Sequence, residues 1–169
     1  MNNETCQEIE VILSKFFKKR INLIVPNISW GLNIHECDLL IISKSGYATE
    51  VEIKVSIADL KKDLIKRHHH IDYRNRIKNL YFAFPEKLEK HLEKYKDFIP
   101  PRAGILIIKP DNRVKVLKKP QSNPQSIKFS STDMYKVARL GSLRIWGLKE
   151  KIIKLNNKIK LLEATIIQK

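Results

Sequence analysis

Two carboxylates and a lysine lie in neighbouring stretches of this sequence that both have the composition of β-strands. Asp38 precedes the apolar run "LLII", and fourteen residues after it Glu52 lies in the stretch "EVEIKV", two positions before Lys54. Alternate side chains of a strand share a face, so Glu50, Glu52 and Lys54 lie on one face and the apolar residues between them lie on the other. The pattern predicts a cluster of acids and one lysine beside the apolar core.

The carboxylates of Asp38 and Glu52 would repel each other on adjacent strands and would resist ionising together. A hard divalent cation removes this repulsion, takes oxygen ligands, and leaves coordination positions for water and a phosphate. Such a metal makes a better nucleophile of water and stabilises charge on phosphorus, and Lys54 can reach the same phosphate. These three residues are therefore candidate catalytic groups for phosphodiester hydrolysis. The open alternative is an ordinary surface ion pair between Glu52 and Lys54, which would contribute little.

Helices alternate with strands around these two stretches. The turn "SKSG" between them predicts an antiparallel hairpin, and the capping-box spacing of Ser56 and Asp59 predicts a helix to about residue 67. The remaining predicted elements are an amphipathic helix in "NNETCQEIEVILSKFFKKR", a short strand in "INLIVPNISWGLN", a strand "NLYFAFP", a charged helix "EKLEKHLEKYKDF", a hairpin of "AGILIIKP" and "RVKVLKK", a linker "PQSNPQS", and a long helix from about Thr132. This order predicts an α/β layered domain over residues 1–130 and a basic C-terminal helix over residues 131–169.

The chain is strongly basic, with 33 lysine and arginine residues against 18 aspartate and glutamate residues and a formal net charge of +15. The excess is concentrated towards the C-terminus, because residues 111–169 carry 14 basic and 4 acidic side chains. This balance favours a polyanionic partner, with nucleic acid ahead of an acidic membrane surface. Nucleic acid is therefore the expected partner. The alternative, that the lysines only aid solubility, stays open.

The N-terminal sequence "MNNETCQEIE" is polar and acidic, whereas a secretory signal would need an apolar segment. No apolar run approaches the ~18 residues of a membrane span. Cys6 and Cys37 have neither the spacing of a metal site nor that of a disulfide scaffold. The sequence therefore predicts a cytoplasmic protein with no membrane partner.

The motif formed by Asp38, a thirteen-residue gap and Glu52-Ile53-Lys54 resembles that of the PD-(D/E)xK nuclease superfamily, whose core has the same order of elements. A longer likeness, through "CDLLII", "EVEIKVSIADLKKD", "DYRNRIKNLYFAFP" and "PPRAGILII", is similar to the MmcB-like bacterial DNA-repair family. The resemblance implies a restriction-endonuclease-like core with a mixed central sheet flanked by helices. It also implies that Asp38, Glu52 and the Ile53 carbonyl bind Mg²⁺ or Mn²⁺. Lys54 would be the catalytic lysine.

Two further acids are candidate auxiliary residues. Glu50 shares the predicted strand face of Glu52, and it either supports a metal ligand or ends the strand in solvent. Glu8 lies on the first helix, where many members of the superfamily carry an extra acid, and the alternative is a solvent-facing helix residue. Cys37 stands where the superfamily's name puts a proline, which is a variation that the superfamily tolerates.

The segment "RHHHIDYRNR" supplies the candidate nucleic-acid contacts. Arginine forks suit phosphate and tyrosine stacks on bases, so Tyr73, Arg74 and Arg76 are predicted to contact nucleic acid. The open alternative places Tyr73 in the core and leaves the arginines merely exposed. Three consecutive histidines on a helix do not converge on one ion, so they form a poor chelating set.

Together these features predict a metal-dependent DNA nuclease that hydrolyses phosphodiester bonds in DNA repair or processing. One alternative is a non-catalytic protein that binds nucleic acid on a nuclease fold. Another is a basic scaffold that recruits partners through its C-terminal helix, although that would not explain the acid–lysine cluster.

The C-terminal helix repeats apolar residues at alternating spacings of three and four, namely Ile145, Leu148, Ile152, Leu155, Ile159, Leu162 and Ile166. Isoleucine at every a position and leucine at every d position of a heptad favour parallel two-stranded coiled coils. The pattern therefore predicts a homodimer through this helix. The repeat spans only about three heptads, so docking of the helix on its own domain is the open alternative.

Overall fold

Six strands form one mixed sheet that carries the predicted acids and lysine. The computed structural model of the 169-residue chain describes residues 5–28, 32, 34, 36–66 and 76–167. The elements in chain order are α1 (Cys6–Phe16), β1 (Leu23–Ile28), β2 (Cys37–Ile42), β3 (Ala48–Ile53), α2 (Ile57–Lys66), β4 (Ile77–Pro85), two 3₁₀ helices (Glu86–His91 and Glu93–Phe98), β5 (Gly104–Ile108), β6 (Val114–Lys118) and α3 (Ser131–Ile167). The strands lie in the order β1-β2-β3-β4-β5-β6. The predicted α/β class and the long C-terminal helix are confirmed.

Strands β2 and β3 form the antiparallel hairpin that the sequence predicts. Its turn places Gly46 at a φ of +84°, a left-handed conformation that glycine adopts without steric penalty. The next pairs, β3–β4 and β4–β5, are parallel, and β5–β6 returns to an antiparallel hairpin. Parallel neighbours need a crossover connection, and α2 lies in the connection between β3 and β4. This helix begins where the sequence predicts, because the Ser56 hydroxyl accepts a hydrogen bond from the Asp59 backbone N–H at 3.1 Å.

The sheet is covered on both faces, which buries the centre of β3. On one face α1 packs through Ile9 and Leu13, and its partners include Val51 and Ile53 of β3. The opposite face carries two further apolar clusters. The first joins β1, β2 and α3, and the second joins β4, β5, α2 and the 3₁₀ helices. Strand β3 thus places alternate side chains in different environments, as its sequence pattern predicts.

The charged segment after β4 forms two 3₁₀ helices rather than the α-helix that its sequence predicts. A break at Tyr95, with φ −116° and ψ 19°, lies inside the second of them. Ion pairs tie the first 3₁₀ helix to the β5–β6 hairpin: the Lys109 ammonium lies 2.6 Å from Glu86 and 3.1 Å from Glu89. These tertiary contacts and the burial of Leu88 override the helical propensity of the lysine and glutamate residues.

Helix α3 joins the domain through its first turns only. Val137 is buried in the cluster with Val25 of β1, and a Cβ atom on Gly141 would meet Val25 Cγ2 at 3.3 Å. The Arg144 guanidinium donates a hydrogen bond to the Asn27 carbonyl. These contacts fix the direction in which the rest of the helix leaves the sheet. Among the helices of the described residues, none combines the length and apolar character needed to cross a membrane.

Candidate functional site

Strand β3 and the residue that follows it bury three charged side chains. Glu50 is 1% exposed, and Glu52 and Lys54 are each 5% exposed. Acidic and lysine side chains are almost never buried to this extent unless they are paired. The interpretation of Glu52 and Lys54 as an ordinary surface ion pair is therefore wrong, because both lie inside the fold. The interpretation of Glu50 as a strand end exposed to solvent is wrong for the same reason, because Glu50 is buried.

The charged side chains lie between the two apolar clusters that share one face of the sheet. In the register of the sheet, Glu50 is opposite Leu40 of β2 and Leu80 of β4, and Glu52 is opposite Phe82. Directly paired residues project to the same face. Leu40 belongs to the α3 cluster, whereas Leu80 and Phe82 belong to the α2 cluster. The site is therefore a group of buried charged side chains between two apolar clusters.

The β2–β3 hairpin opens at the point where Asp38 stands. The ladder between these strands ends at the Leu39–Val51 pair, whereas the ladder between β2 and β1 continues to the pair of Cys37 and Ile28. Beyond that point the Asp38 side chain takes the place of a backbone acceptor, because its Oδ2 atom accepts the Ile53 N–H at 2.7 Å. The carboxylate of Asp38 is thereby inserted between the two strands and stays partly exposed. Backbone N–H and C=O of one strand residue project to the same side, so the Ile53 carbonyl also faces the Asp38 side of β3.

Lys54 is held by both its backbone and its ammonium group. Its N–H donates to the Ala83 carbonyl of β4 at 3.0 Å, which extends the parallel pairing past the end of β3. Its Nζ atom donates to Glu52 Oε2 at 2.8 Å and lies 5.9 Å from the centroid of the Phe82 ring. The aromatic face and the carboxylate are both attractive partners for an ammonium group. The predicted proximity of Asp38, Glu52 and Lys54 is thus present in the structure.

Burial and acidic neighbours raise the pKa values of ionisable groups at this site. Burial raises the pKa of the Glu52 carboxyl group well above its ordinary value, and the neighbouring Glu50 raises it further. The Lys54 ammonium opposes this shift, while Asp38 adds to it. Burial and the same three acids also raise the pKa of the Cys37 thiol. The attraction of Lys54 therefore does not cancel the effects of burial and of the neighbouring acids on Glu52.

The raised pKa of Glu52 predicts a stability that depends on pH. Its unfolded value is near 4.5 and its folded value is higher, so the native state binds more protons between the two. The free energy of unfolding should therefore fall as pH rises from 4.5 through the folded pKa, by at most about 1.4 kcal/mol per pH unit. We expect urea titrations of the metal-free protein to show this decline, and Glu52→Gln to remove it. A difference between wild type and Glu52→Gln that does not change with pH would contradict this account.

An acid on α1, Glu10, joins the site and was not predicted from the sequence. Asn27 donates a hydrogen bond to Glu10 Oε1 at 3.2 Å. Burial raises the pKa of the Glu10 carboxyl group, the Asn27 hydrogen bond opposes this, and the charge of Asp38 raises it further. The two carboxyl groups thus lie within electrostatic range of each other. The sequence does contain a signal for this role of Glu10. One face of the helix carries Cys6, Glu10 and Leu13 at helical spacing, and Glu10 is an acid on that partly buried face.

Glu8, the candidate auxiliary acid on α1, has a different position. Its Oε2 atom accepts hydrogen bonds from the Thr5 N–H at 2.7 Å and from the Thr5 hydroxyl at 3.0 Å. The Glu8 N–H in turn donates to the Thr5 hydroxyl, which completes a capping box. Glu8 is exposed and caps the helix, so the structure favours the alternative of a solvent-facing helix residue.

Among the predicted nucleic-acid contacts, the structure describes Arg76 only. Its guanidinium forms an ion pair with Asp133 at the start of α3, at 2.9 Å, and lies 5.1 Å from the centroid of the Phe129 ring. Arg76 thereby ties the start of β4 to α3. Tyr73 and Arg74 lie outside the described residues, as do the three histidines.

The donor set at the site fits a hard divalent cation by its chemistry. Asp38, Glu52 and the Ile53 carbonyl supply oxygen atoms, which Mg²⁺ prefers, and the mutual repulsion of the carboxylates favours a cation. Hydrogen bonds hold one oxygen of each carboxylate, Oδ2 of Asp38 and Oε2 of Glu52. Within the described residues, no three histidine, cysteine, aspartate or glutamate side chains are grouped as a metal site. A metal would therefore rely on two carboxylates, a backbone carbonyl and water, which is common for Mg²⁺.

Comparisons with known proteins bear on the fold alone. No protein-family model matches this chain, and no curated protein matches it. Among solved structures, the SPO1766 protein of unknown function from Silicibacter pomeroyi is similar, with a TM-score of 0.60 and 12% sequence identity. The similarity covers 92% of this chain and 96% of that chain. At this identity it shows a shared fold and carries no information on activity.

Proposed function

We propose that this protein is a metal-dependent DNA nuclease of the PD-(D/E)xK type, with a restriction-endonuclease-like core and a role in DNA repair or processing. The observation that carries the proposal is the placement of Asp38 in the open end of the β2–β3 hairpin, 2.7 Å from the Ile53 N–H, beside the buried Glu52–Lys54 pair. Asp38 precedes Glu52 by 14 positions and Lys54 by 16 in the sequence, and the three residues lie together in the fold.

A purely structural ion pair does not account for this site. A buried pair needs balanced charge, and removing water from ions is expensive even when they are paired. Here burial raises the pKa of Glu52, and the like charges of Glu50 and Asp38 raise it further although Lys54 opposes the shift. Groups that are desolvated and set against like charges are typical of functional sites. A bound cation would relieve the repulsion that the fold itself creates.

Asp38, Glu52 and the Ile53 carbonyl would hold Mg²⁺ or Mn²⁺, with Glu10 and Glu50 as nearby acids. The metal, when bound, supplies a Lewis acid for the phosphate and lowers the pKa of water. The Lys54 ammonium group lies beside Glu52, where it would orient a phosphate oxygen or the attacking water. The hydrogen bond from Ile53 holds Asp38 in one orientation, so the site is organised before substrate binds.

The charge of the chain supports DNA as the substrate. A formal net charge of +15 favours association with a polyanion and predicts an affinity that falls steeply as salt rises. The candidate site itself is acidic, and its carboxyl groups would repel a phosphate backbone. The positive charge that attracts DNA therefore lies elsewhere on the protein. Mg²⁺ at the site would convert this local repulsion into attraction.

The proposal is tested by incubating the purified full-length protein with plasmid, single-stranded and branched DNA, and with RNA. We expect cleavage of DNA with Mg²⁺ or Mn²⁺ and none with EDTA. With Ca²⁺ we expect binding without cleavage. Protein carrying Glu52→Gln, purified identically, controls for contaminating nucleases. If no divalent metal supports cleavage of any substrate while DNA binding persists, the protein is a non-catalytic nucleic-acid-binding protein instead.

A further inference from the structure

Helix α3 extends far beyond the sheet to which its first turns are attached. Val137 is fully buried against β1. Further along the helix, the Arg144 guanidinium donates a hydrogen bond to the Asn27 carbonyl of β1. Every residue from Leu148 to Thr165 is exposed. Docking of this segment on its own domain, which the sequence leaves open, is therefore not what the structure shows.

The exposed segment carries a continuous apolar seam. Its members are Ile145, Leu148, Ile152, Leu155, Ile159 and Leu162, and each is between 51% and 60% exposed. They follow the a and d positions of a heptad without interruption. The opposite side carries Trp146 and Ile153 at b positions, but Lys160 breaks that row. The a/d seam is thus the only uninterrupted apolar row on the described part of this segment.

We propose that residues 145–166 form a parallel two-stranded coiled coil with a second copy of this chain. A single helix in water is marginal because its stability in proteins comes mostly from packing of its apolar face. A second copy supplies an identical seam, and isoleucine at a with leucine at d selects two parallel strands over three or four. The anchoring of α3 on β1 gives both copies the same exit direction, as a symmetric dimer requires.

Charge along the flanks favours the parallel orientation. In a parallel pair, Lys158 at position g meets Glu163 at position e of the next heptad in the second copy, and symmetry provides this attraction twice. In an antiparallel pair, Lys158 would instead approach Lys151 of the second copy, and two lysines would repel. The same helix therefore carries both an attraction that supports one orientation and a repulsion that opposes the other.

Two neighbouring isoleucines provide a matched test of the seam. Ile152 is 54% exposed at an a position, and Ile153 is 59% exposed at a b position. Ile152→Asp and Ile153→Asp add the same charge and lose the same side chain one residue apart. We expect sedimentation velocity at micromolar concentration to give a dimer for full-length wild type and for Ile153→Asp. For Ile152→Asp we expect a monomer, with the dissociation constant raised by about 10³-fold or more.

Three results would overturn the proposal: a monomeric wild type, a trimer or larger assembly, or equal dissociation by the two aspartate variants. Orientation is tested separately with Lys158→Glu. In a parallel dimer this variant sets two acids against each other and weakens association, and adding Glu163→Lys restores it. In an antiparallel dimer Lys158→Glu would tighten association by gaining Lys151 as a partner, which would overturn the parallel arrangement. None of these positions contacts the candidate site, so the test does not depend on nuclease activity.

Discussion

Replacing Glu52 with glutamine should reduce the rate of Mg²⁺-dependent DNA cleavage by roughly 10³-fold or more, the range found when a residue of a catalytic unit is removed. Glutamine keeps the shape of the side chain but removes the negative charge that a divalent cation requires. Affinity for DNA should stay unchanged or rise, because one carboxylate fewer repels the phosphate backbone. Single-turnover cleavage and binding in Ca²⁺ measure the two effects separately.

The chain offers a matched control for this experiment. Glu93 and Lys96 form an ion pair at 2.7 Å, nearly the same separation as the 2.8 Å between Lys54 and Glu52, but on the surface. Glu93→Gln therefore makes the same chemical change to a similar pair in solvent, and it should leave cleavage unaltered. If Glu52→Gln cuts DNA as fast as Glu93→Gln does, the assignment of the site is wrong.

Much of the framework around the site follows from local sequence patterns. The alternation of Glu50, Glu52 and Lys54 with apolar residues predicts a strand, and the hairpin turn predicts its antiparallel partner. Both are confirmed because period-two patterning and a left-handed glycine in the turn act over a few residues. The start of α2 at Ser56 is predictable for the same reason, since its cap lies within one turn.

Features set by tertiary contact were not predictable in this way. The sequence from Glu86 to Phe98 predicts an α-helix. The structure has two 3₁₀ helices there, with ion pairs to Lys109 and a break at Tyr95. Glu10 is recruited by Asn27 of β1, a residue 17 positions away that local periodicity does not reveal. The opening of the hairpin at Asp38 also involves a third strand, because β2 stays paired with β1 as far as Cys37, whereas its pairing with β3 ends at Leu39.

Burial is the property that separates the competing interpretations of the acid–lysine pair, and sequence pattern alone does not supply it. Glu52-Ile53-Lys54 alternates in the same way whether its charged face meets solvent or protein. In the described part of the chain, the apolar clusters that α2 and α3 form with the sheet lie on that face, on either side of the charges. Enclosure lowers the effective dielectric and strengthens every interaction among Asp38, Glu50, Glu52 and Lys54. The site's chemistry is therefore a consequence of its position between two apolar clusters.

Replacing Lys54 with methionine should affect stability and activity together. Removing one partner of a buried ion pair leaves an uncompensated charge and typically destabilises a protein by about 3–5 kcal/mol. Glu52 would lose the ammonium group that lies 2.8 Å away, so the Lys54→Met variant should unfold at lower urea concentration than wild type. Cleavage should also be largely lost, while Mg²⁺ or Ca²⁺ should still raise its melting temperature, because the carboxylates remain.

The double variant Glu52→Gln/Lys54→Met separates this charge effect from a simple packing defect. If the loss arises from an unpaired Glu52, removing that charge as well should restore most of the stability, so the two changes would be strongly non-additive in urea unfolding. Glu52→Gln alone should destabilise the metal-free protein less than Lys54→Met does, because it also removes the repulsion of Glu52 by Glu50 and Asp38. An ion pair without such repulsion would be weakened similarly by the loss of either partner. Equal destabilisation by the two single variants would contradict a role for this repulsion.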